Sequence, residues 1–84
     1  KEYQLTKKEN YLGRMTGNEI VLLYDNQISR RHAKIKIDNQ EIWVEDMDSR
    51  NGTFVNNERL EEPYLLSPEE TFRVGKTYLQ VIIN

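Results

Sequence analysis

The sequence predicts an all-β fold, either a sandwich or a barrel, and three observations favour it. Several short segments alternate apolar and polar residues with the period of a strand, and they are rich in β-branched and aromatic side chains. Turn residues separate these segments at intervals of roughly eight to twelve residues, which is typical of sandwiches and barrels. No apolar pattern with the 3.6-residue period of a helix is long enough to form one.

The N-terminal half begins with short runs of apolar and aromatic residues, which are candidate strands at residues 3–5, 11–12 and 20–23. Residues 33–37 predict a half-buried strand, because alanine and two isoleucines alternate with two lysines. Residues 42–46 alternate in the same way. The polar residues 38–40 between these two segments therefore predict a hairpin.

In the C-terminal half, residues 53–55 and 71–74 are further candidate strands. The asparagines at 56–57 predict a tight hairpin turn, because Asn tolerates positive φ better than most residues. Residues 63–68 are bounded by two prolines, and we expect a loop there. Residues 78–83 carry apolar side chains at both alternating sets of positions, so we expect the last strand to contact apolar surface on both faces.

Length and composition limit the classes of function. With 84 residues, 37% of them hydrophobic and 31% charged, the chain is expected to form a single globular domain over residues 1–84. Because it starts at a lysine, we expect it to be excised from a longer protein. The absence of cysteine excludes disulfides and thiolate metal sites and permits a cytoplasmic location. No apolar run approaches a membrane span, so we expect no membrane partner.

The formal net charge of −2 argues against binding to nucleic acid, which needs a broad basic face. Within this acidic chain, four of the six arginines lie in predicted turns beside small polar residues, at 13–14 (Gly-Arg), 29–32 (Ser-Arg-Arg-His) and 49–53 (Ser-Arg-Asn-Gly-Thr). Guanidinium groups, hydroxyls and amides on loops can hold a tetrahedral, doubly charged anion. They are not the groups that cleave a bond, so the arrangement predicts phosphate recognition rather than catalysis.

Taken together, the three motifs resemble the forkhead-associated (FHA) domain family. The family pattern has Gly-Arg, Ser-Arg-x-His and Ser-x-Asn-Gly-Thr-x-x-Asn in this order, and the chain carries them at residues 13–14, 29–32 and 49–56. The resemblance spans nearly the whole chain, from Gly13 to the strand after Gly75. It implies a β-sandwich of two mostly antiparallel sheets, with about eleven short strands and the binding loops at one end.

The resemblance also implies a ligand, because the family binds phosphothreonine in short peptides. Carried over by position, Arg14 would pair with the phosphate and with ligand backbone, while Ser29 would donate its hydroxyl proton to a phosphate oxygen. Arg30 would add a second cationic contact, and Asn51 would hydrogen-bond the ligand's main chain. The residues that would support the loops without touching ligand are Gly13, His32, Ser49 and Gly52.

Arg50 departs from the family, since many members have Ser or Thr at this position. It either adds a third cation beside the phosphate or points into solvent. The partner implied is a phosphothreonine-containing protein, either a Ser/Thr kinase or its substrate. No cofactor and no metal are expected, because one histidine and scattered carboxylates do not make a ligand set.

Two alternatives remain beside this interpretation. A domain of the same fold can join proteins, or copies of itself, without phosphate, although such a domain would usually lack Arg14, Ser29 or Asn51. A small hydrolase with Ser29 as nucleophile and His32 as base is the other alternative. It is poorly supported, because the sequence offers no oxyanion motif and no acid that can be assigned to orient the histidine.

Overall fold

The computed structural model describes residues 2–82 and shows nine β-strands, with no helix in that range. In chain order the strands are β1 (Glu9–Gly13), β2 (Ile20–Val21), β3 (Ala33–Asp38), β4 (Glu41–Asp46), β5 (Thr53–Val55), β6 (Glu58–Arg59), β7 (Tyr64–Leu66), β8 (Thr71–Val74) and β9 (Thr77–Gln80). They form a five-stranded sheet, β2-β1-β3-β4-β7, and a four-stranded sheet, β6-β5-β8-β9. The predicted all-β sandwich is confirmed, with nine strands in the described range where about eleven were expected.

Antiparallel pairing predominates, and only β1 and β2 run parallel. The two predicted hairpins are confirmed. At the β3–β4 turn, Asn39 and Gln40 have φ of 50° and 70°, and at the β5–β6 turn Asn56 and Asn57 have φ of 51° and 66°. Two consecutive residues with positive φ match the right-handed twist of the flanking strands, which explains the asparagines.

Two predictions for the C-terminal half are wrong. Residues 64–66 form β7, which pairs with β4, so Pro63 and Pro68 bracket a strand rather than a loop. A proline on either side is compatible with an edge strand, which has only one neighbour. The last strand does not contact apolar surface on both faces: Tyr78 is 67% exposed, because it lies on the outer face of its sheet, which no layer within residues 2–82 covers. Residue 83 of the predicted last strand lies outside the described residues.

The first candidate strand, at residues 3–5, is not a strand, although Tyr3 and Leu5 pack against the core. The core lies between the sheets, and both contribute to it. Its buried members are Leu12, Ile20, Leu22, Ile28, Ala33, Ile35, Ile42, Val44, Val55, Leu66, Phe72 and Val74. Burial of this apolar surface is the main favourable contribution to folding.

Candidate functional site

The register of the five-stranded sheet brings the three motifs to one end of the sandwich. Leu12 near the end of β1 pairs with Ala33 at the start of β3, and Ala33 pairs with Asp46 at the end of β4. The loop after β1, the loop before β3 and the loop after β4 therefore meet the sheet at neighbouring positions. Motifs that are far apart in the sequence thus become neighbours.

Backbone hydrogen bonds join the first two loops directly. The N–H of Arg14 donates to the carbonyl of Ser29 at 3.0 Å, and the N–H of Met15 donates to the carbonyl of Arg30 at 3.2 Å. Asn18, which is 7% exposed, donates from Nδ2 to the carbonyls of both Met15 and Arg30. Asn18 was not predicted as a site residue, because nothing in the local sequence shows which carbonyls its side chain contacts.

Gly13 is required where these loops meet. A Cβ placed on Gly13 would lie 2.1 Å from the carbonyl oxygen of Arg30 and 2.9 Å from that of Ser29. Both are backbone atoms held by the hydrogen bonds above, so they cannot rotate out of the way. Glycine therefore allows the close approach that places Arg14 beside Ser29.

The loops enclose an open groove of about 670 Å³, within the size range of ligand pockets. The residues that line it are Arg14, Asn26, Gln27, Ile28, Ser29, Arg30, Arg31, Arg50 and Asn51. All five residues for which ligand contact was considered lie along this groove. Asn26, Gln27 and Arg31 also line the groove, although no role was predicted for them from the sequence.

The groove carries an excess of positive charge. Its four arginines are exposed, and no acidic residue lines it. Within residues 2–82, the ion pairs link lysines to glutamates and leave these arginines out. A cluster of unneutralised guanidinium groups in a chain of net charge −2 creates a local positive potential that attracts anions.

Ser29 is oriented by the third motif. Its Oγ accepts a 3.0 Å hydrogen bond from the backbone N–H of Arg50. Since a hydroxyl can accept and donate at once, its proton remains available for an acceptor in the groove. The same bond places the backbone of Arg50 beside the hydroxyl of Ser29.

His32 is fully buried and joins two of the loops. Its Nδ1 accepts from the backbone N–H of Ser29 at 2.9 Å, so Nε2 carries the ring proton and donates to the carbonyl of Gly52 at 2.8 Å. Both ring nitrogens are thereby engaged with backbone. Neither is available as a base for the hydroxyl of Ser29.

The third motif is stabilised by a network around Asp46. Its carboxylate accepts from the hydroxyl and N–H of Ser49 and from the hydroxyl of Thr53, and Ser49 Oγ in turn accepts from the N–H of Gly52. Burial raises the pKa of Asp46, but these hydrogen bonds to the ionised form lower it more, so its pKa lies below the ordinary value. With φ of 88°, Gly52 adopts the left-handed conformation that this tight turn needs.

Asn51 is exposed at the rim, and its side chain is already oriented. Its Nδ2 donates to the carbonyl of Gln27 at 2.8 Å. Its Oδ1 accepts no hydrogen bond from the part of the chain that the structure describes, and it can receive an N–H from a ligand. The bond to Gln27 also ties the third motif to the loop that precedes Ser29.

Asp25 connects the loop that precedes Ser29 to the turn between β8 and β9. Its buried carboxylate accepts from the N–H of Gln27 at 3.0 Å, from the N–H of Lys76 at 2.7 Å and from Thr77 Oγ1 at 2.8 Å. Burial raises the pKa of Asp25, but these hydrogen bonds to the ionised carboxylate lower it by more. The pKa of Asp25 therefore lies below its ordinary value. A Cβ on Gly75 would lie 2.7 Å from the carboxylate, so glycine makes room for it. Asp25 was not predicted as a site residue, because its only local signal in the sequence is a turn in which Asp bonds backbone two residues later.

The described residues include no group of three or more His, Asp or Glu side chains that could hold a metal ion. Over the same range there is also no helix that could cross a membrane.

Comparison with known proteins agrees with this geometry. The FHA domain family model matches residues 10–75. The chain belongs to the FHA domain family. The probable E3 ubiquitin-protein ligase dma1 of Schizosaccharomyces pombe is 32% identical in sequence over 81% of this chain. The chain spans 30% of that curated relative.

Solved FHA domains share the fold. One, from an analysis of phosphothreonine-dependent FHA domain interactions, has a TM-score of 0.82 and 34% identity, covering 90% of this chain and 77% of its own. Another is the FHA domain of FhaA, a Mycobacterium tuberculosis protein, complexed with the intracellular domain of Rv3910. It has a TM-score of 0.81 and 34% identity, covering 90% of this chain and 81% of its own. The sandwich is therefore that of FHA domains.

Proposed function

We propose that this FHA domain binds phosphothreonine-containing protein segments in Ser/Thr kinase signalling and carries out no reaction on them. The observation that carries this proposal is that Arg14, Ser29, Arg30 and Asn51 line one groove. No arginine of the groove forms an ion pair with a carboxylate within residues 2–82. A phosphothreonine carries about −1.5 to −2 charges at neutral pH and three acceptor oxygens. The similarity to a solved structure from an analysis of phosphothreonine-dependent FHA domain interactions supports the proposal.

Each side chain has a distinct part in the proposed complex. Arg14 and Arg30 supply charge-assisted hydrogen bonds to phosphate oxygens, and the hydroxyl proton of Ser29 supplies a third. Arg50 adds a further cation, since its backbone lies against Ser29 Oγ. Asn51 holds the ligand's main chain through its free Oδ1. Binding is switched by phosphorylation, because an unmodified threonine offers these arginines no charge.

We also propose that the domain acts as a non-catalytic, cytoplasmic module of a longer protein. The engaged ring nitrogens of His32 support the absence of hydrolysis. A Ser/Thr kinase or its substrate would be the partner, and neither nucleic acid nor a cofactor would be needed. The alternative, interaction without phosphate through the same fold, does not account for four unpaired arginines in one groove.

Isothermal titration of paired phosphorylated and unmodified threonine peptides tests the proposal. We expect the phosphorylated peptide to bind and the unmodified one to bind too weakly to measure. Equal affinity for the two peptides would overturn the proposal and favour the phosphate-independent alternative. Release of phosphate from the peptide during incubation would contradict the non-catalytic role.

Substitutions test which residues contact the ligand. Arg14→Ala, Ser29→Ala and Asn51→Ala should each lower affinity by about tenfold or more, since each removes a contact of roughly 1.5 kcal/mol or more. Lys36→Ala, outside the groove on β3, is the matched control and should bind normally. Thermal melts of all four variants should resemble that of the original chain. A variant that unfolds instead marks its residue as structural.

A further inference from the structure

Arg31 is the one arginine of the groove to which the proposed phosphate contacts give no part. It follows Arg30 at the variable position of the Ser-Arg-x-His motif. Its guanidinium carbon lies 4.0 Å from the centroid of the Tyr11 ring, so the side chain is stacked against the outer face of β1. Stacking on an aromatic ring restricts the guanidinium while leaving its N–H donors free to bind an anion.

The four arginines of the groove carry more positive charge than one phosphate can neutralise. Four arginines line the groove, whereas a phosphothreonine brings about −2 charges. Arg14, Arg30 and Arg50 already exceed that charge without Arg31. No acidic side chain lines the groove to offset the rest, and the nearby carboxylate of Asp25 is buried and bonded to residues 76–77. Uncompensated like charges held close together are unfavourable until an anion arrives.

We propose that the segment bound by this groove carries a second anionic side chain beside the phosphothreonine, and that Arg31 pairs with it. The inference rests on the proposed function and specifies its ligand class. The second anion can be the carboxylate of Asp or Glu or the phosphate of a second phosphorylated residue. Because Tyr11 already restricts Arg31, pairing immobilises little additional side chain, which favours affinity.

The test is a scan of flanking positions by isothermal titration with the 84-residue chain at fixed salt. One set of phosphothreonine peptides carries a single aspartate moved along otherwise neutral flanks, and a parallel set carries a second phosphothreonine. At one position or two adjacent ones, we expect the added anion to raise affinity about tenfold, the size of a charge-assisted hydrogen bond. A gain in both sets means that negative charge is read, and a gain in the second set alone means that a second phosphate is required.

Three variants locate the effect. In Arg31→Gln the gain from the second anion should fall to about twofold or less, and in Arg31→Glu it should become a loss, by the logic of a double-mutant cycle. Lys36→Gln removes the same charge from β3 outside the groove and should keep the full gain. Because Arg31 and Lys36 are both exposed, these variants are expected to fold.

Failure of this inference is distinguishable from failure of the proposed function. If the singly phosphorylated peptide with neutral flanks binds, but no added anion at any position raises affinity, the inference is overturned and the function stands. A gain that survives in Arg31→Gln as fully as in Lys36→Gln also overturns it. If no phosphopeptide binds at all, the function fails and the inference fails with it.

Discussion

The carboxylate of Asp25 accepts a 2.7 Å hydrogen bond from the backbone N–H of Lys76, which lies 51 residues further along the chain. The other oxygen of that carboxylate accepts from the N–H of Gln27, whose carbonyl accepts from the side chain of Asn51. One wall of the groove is thus connected through Asp25 to the β8–β9 turn of the other sheet. The position of Ser29 therefore depends on contacts outside the three family motifs.

The variant Asp25→Ala should lower both stability and affinity. It leaves two backbone N–H groups and the hydroxyl of Thr77 without their acceptor, and unsatisfied buried donors of this kind cost about 1–3 kcal/mol. We expect urea denaturation to show a loss of about 2–3 kcal/mol. Phosphopeptide affinity should also fall when measured in buffer where the variant remains folded, because the loop from Gln27 to Ser29 loses its anchor.

Glu61→Ala is the control for this change, because it removes the same charge from an exposed position. It should alter stability by less than about 0.5 kcal/mol and leave affinity unchanged. Unchanged binding by folded Asp25→Ala would show that Asp25 stabilises the domain without positioning the groove.

The free energy of unfolding should fall in acid, as the carboxylates of Asp25 and Asp46 become protonated. Hydrogen bonds from backbone and hydroxyl groups outweigh the effect of burial and hold the pKa of both Asp25 and Asp46 below its ordinary value. A carboxylate with a lowered folded-state pKa stabilises the fold above its unfolded pKa, near 4, and that stability is lost as pH falls through the folded-state value. Urea denaturation should therefore show a progressive loss of stability below about pH 4.

The pH dependence can be assigned to particular groups. Asp25→Asn should have lower stability at neutral pH and a smaller further loss below pH 4 than the original chain, since one of the titrating carboxylates is gone. Stability that does not change between pH 5 and 2.5 would contradict the proposed part of these two carboxylates.

How much the sequence predicts depends on whether a feature is local. The hairpin at Asn56 and Asn57 is predictable, because the turn demands positive φ and Asn supplies it. The grouping of Arg14, Ser29 and Asn51 is predictable only through the resemblance to the FHA family that all three motifs carry together. Taken singly, none of these residues differs from an ordinary surface or turn residue.

Features that depend on distant partners were not predictable. The pairing of β7 with β4 sets Leu66 against Ile42, and the two flanking prolines suggest a loop unless that neighbour is known. The exposure of Tyr78 follows from its position on the outer face of a two-sheet sandwich, and which face points outward is known only once the sheets have packed. Asp25 and Asn18 look like ordinary turn residues, because the groups they contact become visible only when the chain has folded.

His32→Ala should lower stability first and affinity as a consequence. The change removes a fully buried ring and leaves the N–H of Ser29 and the carbonyl of Gly52 unsatisfied, so we expect a loss of about 3 kcal/mol or more. His32→Asn is the informative comparison, since its Oδ1 can still accept from Ser29. It should recover part of the stability in a thermal melt. If His32→Ala kept its melting temperature and lost only binding, the buried ring would position the loops for ligand without stabilising the fold.

The comparison of Gly13→Ala with Gly17→Ala separates the close approach of the loops from the general effect of replacing a glycine. Gly17 has φ of 104° and open space where a Cβ would lie, so alanine there is strained only by backbone conformation, by about 1–2 kcal/mol. Alanine at 13 must push the backbone of Arg30 away, because its Cβ would lie 2.1 Å from that carbonyl oxygen. The N–H of Arg14 would then lose its carbonyl partner on Ser29.

Both glycine variants should therefore melt at lower temperature, but only Gly13→Ala should lose phosphopeptide binding. Affinities are to be compared by titration at a temperature where circular dichroism shows each variant to be folded. Because displacement of the 29–30 backbone separates Arg14 from Ser29, we expect an affinity loss of about tenfold or more for Gly13→Ala, comparable to the loss of one charge-assisted contact. Equal affinities for the two folded variants would mean that the groove tolerates this displacement, and that the proximity of Arg14 and Ser29 does not determine binding.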